Sequence, residues 1–580
     1  MSAGTLDFRT ANTLWASVLV ETLVRQGVTR AVISPGSRST PLTLALTRHD
    51  GIEAVPVLDE RSAAFFALGQ ARRLHQPVVL VCTSGTAGAN YYPAVIEAQE
   101  SAVPLLIITA DRPPELRSCA SGQTIDQQNL FGGHVNFYHE LAVAEASLPL
   151  LRYLRQTVAQ AVACTQQPQP GPVHLNAPFR DPLAPPAGAT VALAPDQIGD
   201  GFFRHLTPVE TTARRQVSLW PEGVSSRGVI VAGPEIPADP AGYAVAVGRL
   251  AAQTGWPVLA DGVSPLRQFA AGTTVVVTAY DAILRHESTA RALRPEQVLC
   301  LGGWPTSKVL RQWLEKSDAQ VALVTARFDN RDGLHGRTRP VVATVAELAL
   351  GPGKPAEGTY AQSWKAAEAA VTKVLRQTAR PAGGVFEGDV VPVLAAALPQ
   401  DTPIFVASSM PVRDVEYFWP PGDRRMRFYF NRGANGIDGT LSSALGVAHR
   451  AEQPAVLLTG DLALLHDSNG FLLRPKLRGS LTVVLINNRG GGIFEHLPVA
   501  RHEPPFEEYF ATPQAVDIGA LARAHGVEHV AVRSRPELAD LVRQLPAQGI
   551  RVLEVATDRK ADAAFRQSLF ATAAAALDGA

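Results

Sequence analysis

Short apolar runs rich in Val, Ile and Leu, lacking the alternation of a half-exposed strand, recur along this chain between stretches of helical pattern. Such a run reads as a strand buried on both faces. Strands of that kind need helices on either side, and their alternation with helices implies parallel sheets. Two runs constrain the chain most. One spans 455–459 and is followed by Gly460-Asp461; the other spans 481–486 and is followed by Asn487-Asn488. Ligands of parallel α/β sheets bind beyond the carboxyl ends of strands, and these two ends deliver a carboxylate and an amide oxygen. So sparse an oxygen set suits a hard cation such as Mg2+, which takes its other ligands from phosphate and water. Gly490-Gly491-Gly492 follows, where backbone can approach a ligand closely. The residues alone therefore point to a metal holding a diphosphate against a helix N-terminus. Two strand ends closed by Asx-turns account for each dipeptide separately, but not for their pairing with the triple glycine.

At 580 residues the chain exceeds one ordinary core. An amphipathic helix at 11–26 carries Leu14, Val18, Leu19 and Leu23 on one stripe. Strand-like runs follow at 31–34, 54–58, 78–82, 105–109 and 173–175, and Asp181-Pro182-Leu183-Ala184-Pro185-Pro186 closes a first domain expected at 1–185. Runs at 228–232, 258–260, 298–301 and 321–324 form a central domain at 200–350. Gly- and Pro-rich segments at 351–355 and 380–384 bracket the next boundary. A third domain, 384–580, carries strands at 403–407, 428–431, 455–459, 481–487 and 552–555. The expected fold is α/β, with three doubly wound parallel-sheet domains.

Composition excludes several classes of function. A formal net charge of zero without a basic block gives nucleic-acid binding no electrostatic support. The four cysteines, Cys82, Cys119, Cys164 and Cys300, form no Cys-x-x-Cys pair, which argues against zinc and a disulfide framework and fits a reducing cytoplasm. No apolar run approaches the length of a membrane span, and no export signal is evident. Gly85-Thr86-Ala87-Gly88 lacks the Gly-x-Gly-x-x-Gly spacing of a dinucleotide turn. His134, His139 and His174 lack metal-ligand spacing, and His466 reads equally as a loop residue near the diphosphate or a surface one; no histidine is assigned as a general base.

Gly460-Asp461, the spacer and Asn487-Asn488 resemble the thiamin diphosphate motif of the decarboxylase and acetohydroxyacid synthase superfamily. That resemblance implies Mg2+, or Mn2+ in its place, on Asp461, Asn488 and the carbonyl of Gly490. Leu462 stands where the superfamily usually has Gly. Ile33-Ser34-Pro35-Gly36-Ser37-Arg38-Ser39-Thr40-Pro41-Leu42, Asp59-Glu60-Arg61-Ser62-Ala63, Thr83-Ser84-Gly85-Thr86-Ala87 and Thr109-Ala110-Asp111-Arg112-Pro113-Pro114-Glu115-Leu116 narrow the match. So do Pro305-Thr306-Ser307-Lys308 and Asn431-Arg432-Gly433-Ala434-Asn435-Gly436-Ile437-Asp438-Gly439. Together they are similar to the 2-succinyl-5-enolpyruvyl-6-hydroxy-3-cyclohexene-1-carboxylate (SEPHCHC) synthase family of menaquinone and phylloquinone biosynthesis, across nearly the whole chain.

The resemblance implies a transferase that decarboxylates 2-oxoglutarate and adds the remaining unit to isochorismate in a 1,4 fashion. It implies a cytoplasmic homodimer or homotetramer with the active site at the subunit interface. Glu60, at a strand end and opening a helix, reads on its own as an acid stabilised by the helix dipole. The resemblance makes it the catalytic carboxyl that sets the tautomer of the cofactor's aminopyrimidine ring, in a dry pocket. Ile437 becomes a wedge beneath the cofactor. Phe494 lines the same pocket or packs in the core, and Ser409 is a neutral partner on the cofactor side. Both substrates are dicarboxylates, which favours planar bidentate donors: Arg38, Arg112, Arg413 and Arg432, with Lys308, Ser37 and Gln123. A lone Arg is usually a solvated surface charge, but four following strand-like runs in matching motifs are not read that way as a set. Val309 stands where relatives often have Arg. The alternatives are another thiamin diphosphate-dependent 2-oxo acid decarboxylase or carboligase, and a catalytically silent protein of the same fold.

Overall fold

A computed structural model describes residues 6–204, 206–208, 216–270, 275–351, 358–378 and 385–578. Residues 352–355 and 380–384, which the Gly- and Pro-rich pattern marks as boundaries, lie outside them. The chain forms two compact units.

The first unit is built on β1 (Arg30–Ile33), β2 (Glu53–Pro56), β3 (Val78–Cys82), β4 (Leu105–Asp111), β5 (Phe137–Glu140) and β6 (Pro172–Pro178). Their order is β2-β1-β3-β4-β6-β5, parallel throughout. β3 and β4 are buried at every residue, as their unbroken apolar runs require. The winding reverses between β1 and β3, so a crevice opens beyond their carboxyl ends. Segments 431–449 and 466–478, drawn from the expected C-terminal domain, cluster with this unit. The reason is helix-on-helix packing: Thr440–Ala448 lies against Glu60–Leu74 with backbones almost touching. A Cβ added at Gly69 would collide with the Ser443 carbonyl oxygen, and one at Gly446 with that of Phe66.

The second unit holds two six-stranded sheets and a small pair, β7 (Val217–Leu219) with β14 (Leu348–Leu350). The central sheet comprises β8 (Gly228–Ala232), β9 (Val258–Ala260), β10 (Val276–Val277), β11 (Gln297–Leu301), β12 (Gln320–Thr325) and β13 (Thr338–Val342). Its order, β10-β9-β8-β11-β12-β13, is the winding of dinucleotide-binding sheets. Beyond β8 and β11 two backbones come close together: a Cβ at Gly233 would collide with the Gly303 carbonyl. The last sheet comprises β15 (Pro403–Val406), β16 (Arg427–Tyr429), β17 (Ala455–Gly460), β18 (Ser480–Asn487), β19 (Glu528–Val532) and β20 (Gly549–Ala556). The order β16-β15-β17-β18-β20-β19 repeats the winding of the first sheet, so its crevice lies beyond β15 and β17. The α/β, doubly wound parallel architecture expected from the sequence is therefore present three times.

Candidate active site

Asp461 follows β17 directly and is 5% exposed. Its Oδ1 accepts from the amide of Leu462 at 2.8 Å and its Oδ2 from that of Gly490 at 2.8 Å. Burial raises its pKa above the ordinary carboxylate range, while those backbone donors pull it back. Asn488, just past β18 and 7% exposed, donates Nδ2 to Glu387 Oε2 at 3.0 Å. That bond fixes the amide's orientation and leaves Oδ1 buried without a partner. A buried acceptor left unmade is costly, and a hard cation is the partner this oxygen and the Asp461 carboxylate suit. The glycines admit it: Gly490 sits at φ +136°, and a Cβ there would collide with the Ala511 carbonyl. Among the described residues no group of three or more His, Cys, Asp or Glu side chains gathers for a metal. The candidate set is thus the sparse Asp461, Asn488 and Gly490 carbonyl, which suits Mg2+ carried on a diphosphate.

Ser409, beyond β15, holds φ 71° and ψ −132°, a conformation that side chains rarely adopt and that costs about 1–3 kcal/mol. Its carbonyl accepts from Arg413 Nη1 at 2.6 Å, one turn into helix Met410–Phe418. Arg413 and Lys308 line one cavity of about 590 Å3. Lys308 opens helix Lys308–Glu315, whose N-cap Ser307 accepts from the Leu310 amide at 3.0 Å and donates to Asp281 at 2.5 Å. Val309, Ile493, Arg285 and His496 share the cavity wall. Phe494 packs edge-on against Phe510, with ring centroids 6.0 Å apart.

In the first unit the crevice beyond β1 and β3 gathers a second cationic group. Arg38 is buried, donates Nη1 to the Phe179 carbonyl at 2.8 Å, and has its pKa lowered by burial and by the neighbouring Arg112 charge. Arg112 donates to Ser84 Oγ, and Gln123 Nε2 to the Ser84 carbonyl at 3.1 Å. Ser37 is exposed on the same loop as Arg38. Glu60 opens helix Glu60–Leu74, between two residues tied to segment 466–478. Asp59 accepts from Asn469 at 2.7 Å, and Arg61 donates to the His466 carbonyl at 2.9 Å. Glu60 lies close enough to Cys82 and Tyr91 to help push both pKa values up, behind the larger effect of burial. Glu60 itself is half-buried. Arg432 and Ile437 are half-buried on segment 431–439.

Several organising residues carry no motif visible in the sequence. Glu97 is buried and accepts from the amides of Gly433 at 3.0 Å and Ala434 at 2.7 Å, holding the Arg432 segment; Arg72 at 3.1 Å balances its charge. Gln127 accepts from the Gly85 amide at 2.9 Å. Glu387 and Arg566 stand behind Asn488, paired at 2.8 Å. His496 has the one local signal among the unpredicted residues, since it closely follows Phe494 and the triple glycine.

Comparison with known proteins decides the family. Residues 15–130 match the thiamine pyrophosphate enzyme N-terminal TPP binding domain, 203–406 the middle domain of thiamine pyrophosphate, and 415–555 the C-terminal TPP binding domain. The chain is 52% identical over 581 residues to the 2-succinyl-5-enolpyruvyl-6-hydroxy-3-cyclohexene-1-carboxylate synthase of Synechococcus sp. (strain JA-3-3Ab), covering 97% of each chain. The synthase of the same name from Synechococcus elongatus is 50% identical, with 98% of this chain and 97% of the relative covered. That from Acaryochloris marina is 48% identical, with 98% and 99% covered. The chain belongs to the SEPHCHC synthase family. As a SEPHCHC synthase family member it is a thiamine pyrophosphate-dependent enzyme of the transferase class, and the repeated winding of its first and last sheets carries the two TPP binding domains. Against the superfamily pattern, Leu462 gives its amide to Asp461, a bond that any residue other than Pro supplies.

Proposed function

We propose that the chain joins 2-oxoglutarate to isochorismate, using thiamin diphosphate and Mg2+, to give SEPHCHC and CO2 in menaquinone biosynthesis. The observation that carries this reading is the buried, unpartnered Oδ1 of Asn488 beside a buried Asp461 at the carboxyl ends of adjacent strands. Asp461, Asn488 and the Gly490 carbonyl would hold the metal; Mn2+ suits the same oxygens. Thiamin diphosphate, when bound, supplies the nucleophilic carbon and the electron sink for decarboxylation. Glu60 holds a proton against the aminopyrimidine ring, Ile437 shapes the bound cofactor from below, and Ser409 and Phe494 line its seat.

Lys308 and Arg413 bind carboxylate in one cavity; Ser37, Arg38, Arg112, Gln123 and Arg432 do so in the first unit. Fixed guanidinium groups orient anions without reorganisation during the reaction. The domains run over about 1–185, 200–350 and 384–580, each within the usual size range of an independently folding unit. The working form is a homodimer or homotetramer with its active site at the subunit interface. In support, Leu58, two residues before Glu60, is 67% exposed and Leu472 is 41% exposed, apolar surface that a second copy would cover. The setting is cytoplasmic, which the four free cysteines support. No described helix is long and apolar enough to cross a membrane.

The test is direct. Purified protein with thiamin diphosphate, Mg2+ and 2-oxoglutarate is followed by mass spectrometry, with and without isochorismate. Product of the combined mass only when both substrates are present supports the reading; product from pyruvate instead would transfer the chain to another carboligase activity.

A further inference from the structure

We propose that His496 is a specificity-determining residue of the Lys308–Arg413 cavity, presenting a neutral Nδ1–H donor to a carboxylate of the substrate bound there. The inference rests on the dicarboxylate reading above and adds a contact to it.

Arg566, on helix Arg559–Ala575 and almost fully buried, sets the state of the ring. Its Nη2 is committed to Glu387 Oε1 at 2.8 Å and to Asp414 Oδ1 at 2.6 Å. Its Nη1 meets His496 Nε2 at 3.1 Å. A guanidinium only donates, so Nε2 must accept, and the single proton of a neutral imidazole then sits on Nδ1. Burial and the Arg566 charge push the His496 pKa down to about 4, so the ring stays neutral at physiological pH. Among the described residues none takes Nδ1; that atom is not one of the fully buried unpartnered ones, and the residue lines the cavity. The ring therefore has a fixed tautomer, one anchored nitrogen and one open donor.

The setting gives that donor a use. The cavity already carries the charges of Lys308, Arg413 and Arg285, the last paired with Asp281 at 2.8 Å. More positive charge there would attract any anion. A neutral donor adds a directional bond that discriminates by geometry, and a pre-oriented ring loses little freedom on binding.

The test compares wild type with His496→Phe, which fills the space without a donor, and His496→Gln, which keeps a donor without the ring. Each substrate is varied in turn in the holoenzyme, at pH 6 and pH 8. A bond to a charged carboxylate is expected to be worth about tenfold or more in KM. His496→Phe should raise KM for one of the two substrates by that factor with kcat nearly unchanged, equally at both pH values, and His496→Gln should recover most of the loss. Unchanged KM values in His496→Phe, or equal impairment in both variants, overturns the proposal. Nitrogen NMR of the imidazole in the wild-type chain gives a second readout that needs no turnover: an Nδ1-protonated ring at pH 7 is expected, and an Nε2-protonated or doubly protonated ring overturns the proposal. An inactive wild type would instead count against the synthase reading, so the two failures are distinguishable.

Discussion

Gly490 donates its amide to Asp461 Oδ2 at 2.8 Å, so the turn after β18 is fastened to the carboxylate at the end of β17. The two parts of the candidate metal site are thus held together before any ligand arrives. Asp461→Ala removes both the charge and the fastening. Mg2+-dependent binding of thiamin diphosphate, followed by calorimetry, is expected to fall by about 100-fold or more, the upper end of what a metal site loses with one of its supports; normal affinity would remove Asp461 from the metal site.

Glu387 fixes the amide of Asn488 and so decides which atom faces the candidate site. Partners of this kind typically contribute about 10–100-fold to metal affinity. Glu387→Gln is expected to weaken Mn2+ binding, read by electron paramagnetic resonance at saturating thiamin diphosphate, by a factor in that range. Unaltered binding would show that Asn488 is oriented by other means.

Glu60→Gln should retain the cofactor while slowing turnover by about 100-fold or more, within the range that a positioned acid–base group supplies. Equal turnover in the two proteins would take Glu60 out of the mechanism.

Asp467 is fully buried, and burial pushes its pKa up to about 7 against the donors of Ser442. Its unfolded value lies near about 4, so between that pH and about 7 the folded chain binds the extra proton. Its contribution to stability is full below the unfolded pKa and is lost as pH rises through about 7. Asp467→Asn should flatten this part of the profile: between about pH 5 and 8 the melting temperature of wild type should drop more than that of the variant. Parallel profiles would contradict the assignment.

Gly446→Ala should destabilise the first unit by roughly 1–3 kcal/mol, the usual effect of overpacking, because the new methyl meets the Phe66 carbonyl. Thermal unfolding measures it, and an unchanged midpoint would mean that the two helices can part without cost.

Strands buried on both faces are legible as apolar runs: β3, β4, β8, β17 and β18 lie where such runs occur. The strands without that signal, β5, β10, β13 and β19, are all sheet edges, and β7 and β14 form only a pair. An edge strand is half-covered, so Phe137-Tyr138-His139-Glu140 or Thr338-Arg339-Pro340-Val341-Val342 carries no continuous apolar run. The candidate site divides in the same way. Asp461 and Asn488 stand at ends of buried strands and announce themselves. Glu97, Glu387 and Arg566 reach partners as far as 337 positions away in sequence, and neither local periodicity nor composition records such pairings.

The close approach of Gly233 to Gly303 leaves no room for a larger residue. Any side chain at position 233 would have to push the loop that runs from the end of β11 to the helix opened by Lys308 away from the end of β8.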